Sequence, residues 1–352
     1  MKVGLIGYGQ SGKSSLYRAA AQGLAKGDVT AVVVPDQRFD TIVNQVQPKK
    51  ATPATVLLHD TMESAVGGGG KALSQKLIDE AKKMDLLLHV VRAFDSPMSA
   101  YFASVDPLRD QEAIDVELVL SDLQIVENRL ERLQKSLTAK QPGSPDYMDK
   151  QTFERLKEPL ENGTPIRALD LTEDEQVVVR NYQFLSAKQM VVAFNVSESD
   201  AANPPSNLVE RASQLSAQGT PAFSVCATIE EEIAQLDAAD QPEFLSSLGL
   251  TEPASARVIR AVYEALGLIT FFTAGENDTR AWPLKKGSNA VKAAGTIHTD
   301  IAKGFIRAEV VSYADYAAAG SLDAAYSAGK MRLEGKEYVV QDGDLLHIRN
   351  KV

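Results

Sequence analysis

Gly7-Tyr8-Gly9-Gln10-Ser11-Gly12-Lys13-Ser14 is the stretch that decides how this chain is read. The octapeptide fits the GxxxxGK[ST] pattern without a mismatch, and its surroundings fit as well as its letters. Lys2 to Ile6 ahead of it is a short apolar run of strand length, and Lys13 to Ala21 behind it reads as a helix. Glycines let such a loop curl until successive backbone N–H groups point at one centre, and the following helix adds the positive end of its dipole. A polyphosphate suits that arrangement. Gly7, Gly9, Gln10, Ser11, Gly12, Lys13, Ser14 and Ser15 are therefore candidate nucleotide-binding residues, Lys13 reaching the outer phosphates and Ser14 ligating magnesium. The competing reading is a glycine turn with no ligand, which the strand–loop–helix context argues against.

Working outward, strand-like runs follow at Thr30–Val34, Thr55–His59 and Leu86–Val91, with helical stretches such as Leu73–Lys83 between them. Strands alternating with helices predict a mostly parallel sheet covered on both faces. Met190–Phe194 and Ala222–Val225, separated by a helix over Asn207–Ala217, read as the same sheet resumed. Asp60 ends the run Thr55–His59, where a magnesium carboxylate belongs; the alternative is a turn or helix cap. Lys13 and Asp60 are the candidate catalytic residues, and Ser14 with Asp60 the candidate metal ligands. His59 and His89, on buried strands, read as satisfied core histidines.

The interruption between the two halves of the sheet differs in kind. Val116, Val119, Leu123, Val126, Leu130, Leu133 and Leu137 alternate in steps of three and four, an apolar seam of three heptads. Gln141 to Pro145 breaks the helix, and Phe153, Leu156 and Leu160 return with the same spacing, so an antiparallel helical hairpin is expected, its tip near residues 140–147. From about Ile269 the pattern changes to short β runs: Thr270–Thr273, Thr279–Pro283, Phe305–Val311, Glu337–Val340 and Leu345–Arg349. The expected domains are 1–95 with 185–268, binding nucleotide; 96–184, the inserted hairpin; and 269–352, a small β-rich domain. Gly67–Gly70 is the one compositionally biased cluster.

A chain of 352 residues with one cysteine, Cys226, has no internal disulfide to form and suits a reducing cytoplasm. Its place in an apolar stretch makes it a buried thiol, with a redox sensor as the alternative. No run reaches the length of a membrane span, and Met1-Lys2 leads straight into a strand rather than a signal peptide. The expectation is a cytoplasmic protein without membrane contact. The net charge of −10 excludes a general nucleic-acid coat. Residues 269–352, with eleven Lys and Arg against ten Asp and Glu, escape that acidity and could meet a folded RNA.

Several segments resemble the YchF/Obg-like family of P-loop NTPases, in the translation-factor-class GTPase branch. They are Val34-Pro35-Asp36-Gln37-Arg38-Phe39-Asp40, His89-Val90-Val91-Arg92, Val105-Asp106-Pro107-Leu108, Asn181 to Leu185 and Glu230-Glu231-Glu232-Ile233-Ala234. The C-terminal stretch adds Phe272 to Gly275, Arg280-Ala281-Trp282, Ile297 to Asp300, Lys303 to Glu309 and Val340 to Asp344. The resemblance covers nearly the whole chain and is weakest over residues 16–75. It implies an α/β, GTPase-like P-loop fold of mostly parallel sheet with the hairpin inserted and a β-grasp-like TGS domain at the C-terminus. It also implies ATP or GTP with magnesium as ligands, and a ribosome or RNA partner reached through the hairpin and the TGS domain. Oligomeric state is left open.

By the same resemblance, Asn195-Val196-Ser197-Glu198 stands where the family reads its purine base, with Asn195 and Glu198 as base contacts; a helix or turn cap is the alternative for Asn195. A glutamate without the usual lysine discriminates guanine less well, which leans the reading to ATP. The second base loop falls at Ser224 to Thr228, bringing in Ser224, Cys226 and Ala227. The departures from the family are equally specific. Between Ser15 and Val34 the loop with the switch threonine is missing, and Thr30 aligns only after it. The Asp-x-x-Gly element becomes Asp60-Thr61-Met62-Glu63, and no histidine stands near Ala100–Tyr101, where the family's candidate catalytic histidine would fall. Two functions remain: a slow NTPase linked to translation, and a nucleotide-stabilised interaction protein that barely hydrolyses.

Overall fold

A computed structural model describes residues 1–22, 25, 27–60, 64–65, 73–97, 99–237 and 239–351. Thr61-Met62-Glu63 and Gly67–Gly70, on which two of the sequence expectations fall, lie outside the described residues. The chain divides into two compact units, Met1–Thr30 with Leu57–Val262, and Ala31–Val56 with Tyr263–Val352.

The phosphate-loop candidate belongs to the first unit. Its six-stranded sheet runs in the order Val29–Val33, Thr55–His59, Lys2–Ile6, Leu86–Ala93, Gln189–Val196, Ala222–Val225. The registers Lys2↔Leu57, Ile6↔His89, His89↔Val192 and Val192↔Ala222 are all parallel. The two late strands are thus the same sheet resumed, as the sequence pattern predicts. Parallel strands need crossover helices, and helices on the faces explain why Leu86–Ala93 and Gln189–Val196 are nearly unbroken apolar runs. Ile6, Leu87, Val91, Val192 and Phe194 pack in one core with Leu77 and Ala81, Leu208 and Leu215, and Ile229 and Ile233 from three helices.

The hairpin arises from a 28-residue helix, Pro107–Gln134, capped by the Asp106 carboxylate, which accepts from Arg109 N at 3.1 Å. This helix changes partners along its length. Ile114 and Leu118 join the sheet core, whereas Val119 and Val126 pack with Phe153, Leu156, Leu160 and Phe184 in a second core. The apolar seam is accordingly shorter than its spacing predicts. Val116 is 48% exposed, and Leu137, 78% exposed, lies beyond the helix end at Gln134. The partner helix runs Pro145–Glu161: the Ser144 hydroxyl accepts from Tyr147 N and Pro145 takes the first turn, where its missing N–H costs nothing.

The second unit holds a mixed sheet in the order Arg332–Glu334, Phe305–Ser312, Asp344–Asn350, Leu268–Thr273, Thr279–Lys285, Ala51–Thr52. The helix Ala290–Ile297 buries Ala290, Ala293 and Ala294 with Phe271, Trp282, Val310 and Leu346. Its alanines allow close approach, and they read as neither helix nor strand by period. Four short helices in this region went unpredicted for that reason, and Glu337–Val340, expected as a strand, supplies only an isolated bridge between Asn289 and Val339. The segment Val34 to Asp40 also gains an explanation here. Arg38 donates to both oxygens of Asp36 and reaches Asp342, whose Oδ1 accepts from Thr270 N, and Phe39 lies near Phe272 at 6.4 Å between centroids. These residues hold the second unit together.

Candidate functional site

The strand Lys2–Ile6 delivers the chain into a turn that only glycine accepts at two points. Gly7 has φ +153°, and a Cβ there would collide with the Val90 carbonyl oxygen. Gly12, at φ +91°, is the N-cap of the helix Lys13–Ala20, and a Cβ would collide with the Asn195 carboxamide. Gly9 meets nothing closer than Ser64 Cβ at 3.9 Å, so the fold itself does not demand a glycine there. Gln10 sits at φ +62°, a conformation that costs a residue with a side chain free energy. The helix carries no acidic residue in its first turn, leaving its positive end unopposed.

Lys13 is 7% exposed, and its ammonium folds back on the loop, donating to Gly7 O at 3.0 Å, Tyr8 O at 2.9 Å and Ser64 Oγ at 2.9 Å. Burial pushes its pKa down to about 8, with Asp60 pulling the other way. Three hydrogen bonds to neutral oxygens therefore hold a desolvated cation with no carboxylate in contact among the described residues, a poised arrangement for an anion. Ser14 is exposed on the first turn, and Ser11 Oγ is buried without a partner among the described residues. Asp60 follows the strand end, its N–H donating to Asp28 O at 2.8 Å. Oxygen donors from Ser14 and Asp60 suit a hard cation such as magnesium, which takes few protein ligands and completes its shell with phosphate and water oxygens.

Asn195 ends up as a fastener. Its Nδ2 donates to Ser11 O at 3.0 Å and its Oδ1 accepts from Ala227 N at 2.9 Å, tying the phosphate loop to the start of the helix Ala227–Gln235. Beside it opens a cavity of 420 Å³ whose lining includes Gly12, Ser15, Asn195, Glu198, Ala227 and Thr228, together with Phe94, Asp95 and Ser96. Glu198 is exposed on its rim, in the short turn Glu198–Asp200. Two of the predicted base residues stand elsewhere. Cys226 is a core residue, 4% exposed, with burial pushing its thiol up, and Ser224 lines a separate pocket with Phe223 and Arg257. Of this loop, Ala227 and Thr228, beyond the strand end, line the cavity.

Phe94, Asp95 and Ser96 escaped the sequence reading, although ligand crevices of such sheets lie beyond the carboxyl ends of their strands, where these residues follow Leu86–Ala93. Arg92 holds them in place. It is 1% exposed and donates to Phe94 O at 3.1 Å, Ser99 O at 3.1 Å, Ser99 Oγ at 2.8 Å and Gln10 O at 3.3 Å, with its guanidinium over the Phe94 ring at 4.5 Å. It makes no ion pair among the described residues. Tyr101, where the family's histidine would fall, donates to Asp110 at 2.7 Å, and burial raises its pKa, so it is no base. His89 is wholly buried, its pKa pushed down to about 4, and its Nδ1 has no partner, as is true of His59 Nε2. His89 is a neutral core residue without the expected partner, whereas His59, at the strand end, is only partly buried.

The Glu230 to Ala234 segment is structural in part: Glu230, 3% exposed, accepts from Ala254 N at 2.8 Å and Ser255 N at 3.0 Å, capping the helix Ala254–Ala265.

Comparison with known proteins decides the lineage. A ribosome-binding ATPase YchF of Bacillus subtilis (strain 168) is 38% identical over the whole of both chains. The chain belongs to the YchF family. A model described as YchF-GTPase_C, protein of unknown function, matches residues 268–351. Obg-like ATPase 1 of Caenorhabditis elegans is 30% identical over 99% of this chain and 92% of its own. The structure of the Schizosaccharomyces pombe YchF GTPase superposes with a TM-score of 0.88 at 28% identity, covering 99% of this chain and 97% of that one. YchF-type architecture, a P-loop GTPase-like α/β unit with a C-terminal domain, is therefore the fold.

Proposed function

We propose that this chain binds a purine nucleoside triphosphate with magnesium, hydrolyses it slowly and works on the ribosome. The observation that carries the reading is the fastening of the phosphate loop to the base cavity through Asn195, which joins a phosphate cradle and a base-sized cavity into one site. Lys13 exchanges its loop carbonyls for phosphate oxygens, and the backbone N–H groups from Gly9 to Ser14 take the remaining charge. Magnesium, held by Ser14 and Asp60, supplies charge neutralisation at the outer phosphates. Ser11 Oγ, buried without a partner among the described residues, is a further donor within the loop. The base lies in the cavity between Phe94 and the Ala227–Thr228 turn, with Glu198 at its edge. ATP is the favoured triphosphate, since Glu198 comes without the lysine of the guanine readers and the relatives from B. subtilis and C. elegans are named ATPases. Ribosome association follows the name of the B. subtilis relative; the hairpin and a TGS-like C-terminal domain are the surfaces proposed to reach it, in the cytoplasm. No helix among the described residues is long and apolar enough to cross a membrane.

One observation favours the second reading, a nucleotide-stabilised interaction protein. No histidine stands near Ala100–Tyr101, where the family's candidate catalytic histidine would fall, and the Tyr101 hydroxyl is tied to Asp110.

The two readings separate on phosphate release from bound triphosphate in a single turnover. Release faster than in the Lys13→Ala chain supports the slow NTPase. Tight binding with release no faster than that control leaves the interaction protein. Co-sedimentation of the full chain with ribosomes, with and without nucleotide, tests the partner; absence from the ribosomal pellet in both states removes it.

A further inference from the structure

A second cavity, of 760 Å³, opens at the other end of the parallel sheet, where the strands Leu86–Ala93 and Gln189–Val196 begin. The phosphate loop follows the carboxyl end of a parallel neighbour, so the two sites stand at opposite ends of the sheet. In a chain of net charge −10, this cavity is lined by five cations, Lys82, Lys83, Arg167, Arg180 and Lys188, against two carboxylates, Asp85 and Asp170. Lys82, Lys83 and Arg180 make no ion pair among the described residues.

Arg167 belongs to the built wall of the cavity: its side chain is 6% exposed, Nη2 pairs with Asp115 at 2.5 Å, and Nε and Nη1 are buried with no hydrogen-bond partner among the described residues. The cradle around Arg167 is firmly built. Its own N–H donates to Ser186 O at 3.0 Å, Ile166 N donates to Ser186 Oγ at 3.2 Å, and the buried Asp122 carboxylate accepts from Leu185 N at 2.9 Å and Ser186 N at 2.7 Å. Lys188 is fixed by bonds to Lys82 O at 3.0 Å and Met84 O at 2.5 Å, which leaves one of its three N–H groups unused. Leu169, Leu171 and Ala187, each partly exposed, add an apolar wall beside the cations.

We propose that this cavity binds a phosphate-bearing organic anion of about mononucleotide size, its phosphates held by Lys83, Arg180 and Lys188 and its apolar part against Leu169 and Leu171. The volume lies within the range of small-molecule sites, and cations beside an apolar wall match a phosphorylated compound better than a bare ion. The same phosphate chemistry occurs in a free compound and at the end of an RNA strand, so both are tested. The site is independent of the nucleotide reading proposed above.

The experiment titrates inorganic tripolyphosphate, and separately a short single-stranded RNA oligonucleotide, into the full chain carrying Lys13→Ala, in which the phosphate loop is disabled. The same titrations on the otherwise unchanged chain and on Lys83→Glu/Arg180→Glu, both exposed positions, decide the matter even if Lys13→Ala fails to fold. Binding that survives Lys13→Ala and weakens tenfold or more in the double variant, with an unchanged melting temperature, establishes the site. Tripolyphosphate binding assigns it to a small phosphorylated compound; binding of RNA alone assigns it to a strand end. No binding of either probe, or equal binding by the double variant, overturns the proposal.

Discussion

The Asn195 carboxamide occupies the place that a side chain on Gly12 would need. A glycine of the phosphate loop is thereby matched to an asparagine 183 residues away in sequence, whose two polar ends also hold Ser11 O and Ala227 N. Loop shape and base-cavity shape are consequently one property. Gly12→Ala must push Asn195 aside and strain a backbone at φ +91°, so it abolishes nucleotide binding in calorimetry at unchanged protein concentration. Retained affinity would show that the fastener is dispensable.

Asn195→Ala tests the fastener from the other side. It leaves a buried N–H and a buried carbonyl unpaired, each costing about 1–3 kcal/mol. The expected result is a lower melting temperature together with weaker binding of every purine nucleotide. A melting temperature equal to that of the unaltered chain contradicts the account.

The Lys13 ammonium predicts a pH dependence. In the free chain its pKa is about 8, depressed by burial, and bound phosphate stabilises the charged form and raises it. Above pH 8, binding must therefore take up a proton, so triphosphate affinity falls as pH rises from 7.5 to 9.5. Stability runs the opposite way. The unfolded chain holds this proton up to its ordinary pKa of 10.5, so the lysine's contribution to folding improves as pH rises from about 8 towards that value. Titrations of the full chain in matched buffers from pH 7.5 to 9.5 check the first sign; a pH-independent affinity contradicts it.

Arg92 serves four carbonyl and hydroxyl contacts that a lysine cannot reach together. Arg92→Lys loosens the cavity wall at Phe94 and the loop at Gln10 in one step. Affinity for ATP, ADP, GTP and GDP is expected to fall together by about tenfold, or about 1.4 kcal/mol. A loss confined to triphosphates would instead place Arg92 at the γ-phosphate.

Glu230→Gln probes a contact with no part in the site. Replacing one carboxylate oxygen by an amide group turns an acceptor towards the N–H groups of Ala254 and Ser255 into a donor. The melting temperature should drop by a few degrees, for a loss of about 1–2 kcal/mol, with nucleotide affinity unchanged. Weaker binding without loss of stability would overturn this assignment.

How much of this was legible in the sequence follows from the kind of signal each part leaves. Gly7 to Ser14 is local, and a glycine loop between a strand and a helix needs no distant partner to be read. The hairpin was legible through its spacing, but the spacing overran the helix, because Val116 and Leu137 keep the period without a surface to meet. The role of Asn195 as a fastener was not legible, since it depends on Ser11 in the phosphate loop and Ala227 at a helix start being brought together by the fold. Phe94 and Arg92 were hidden for the same reason. The alanine-lined helix Ala290–Ile297 left too weak an apolar pattern to stand out among β runs.

The central claim is that one site, built by Lys13, Asn195 and the cavity between Phe94 and Thr228, takes a purine nucleoside triphosphate. Calorimetric titration of the full chain with ATP, ADP, GTP and GDP in magnesium, alongside Lys13→Ala, tests it most directly. The account predicts saturable one-to-one binding, tighter for adenine than guanine, that disappears in Lys13→Ala. No heat of binding from any of the four nucleotides, or undiminished affinity in Lys13→Ala, would contradict it.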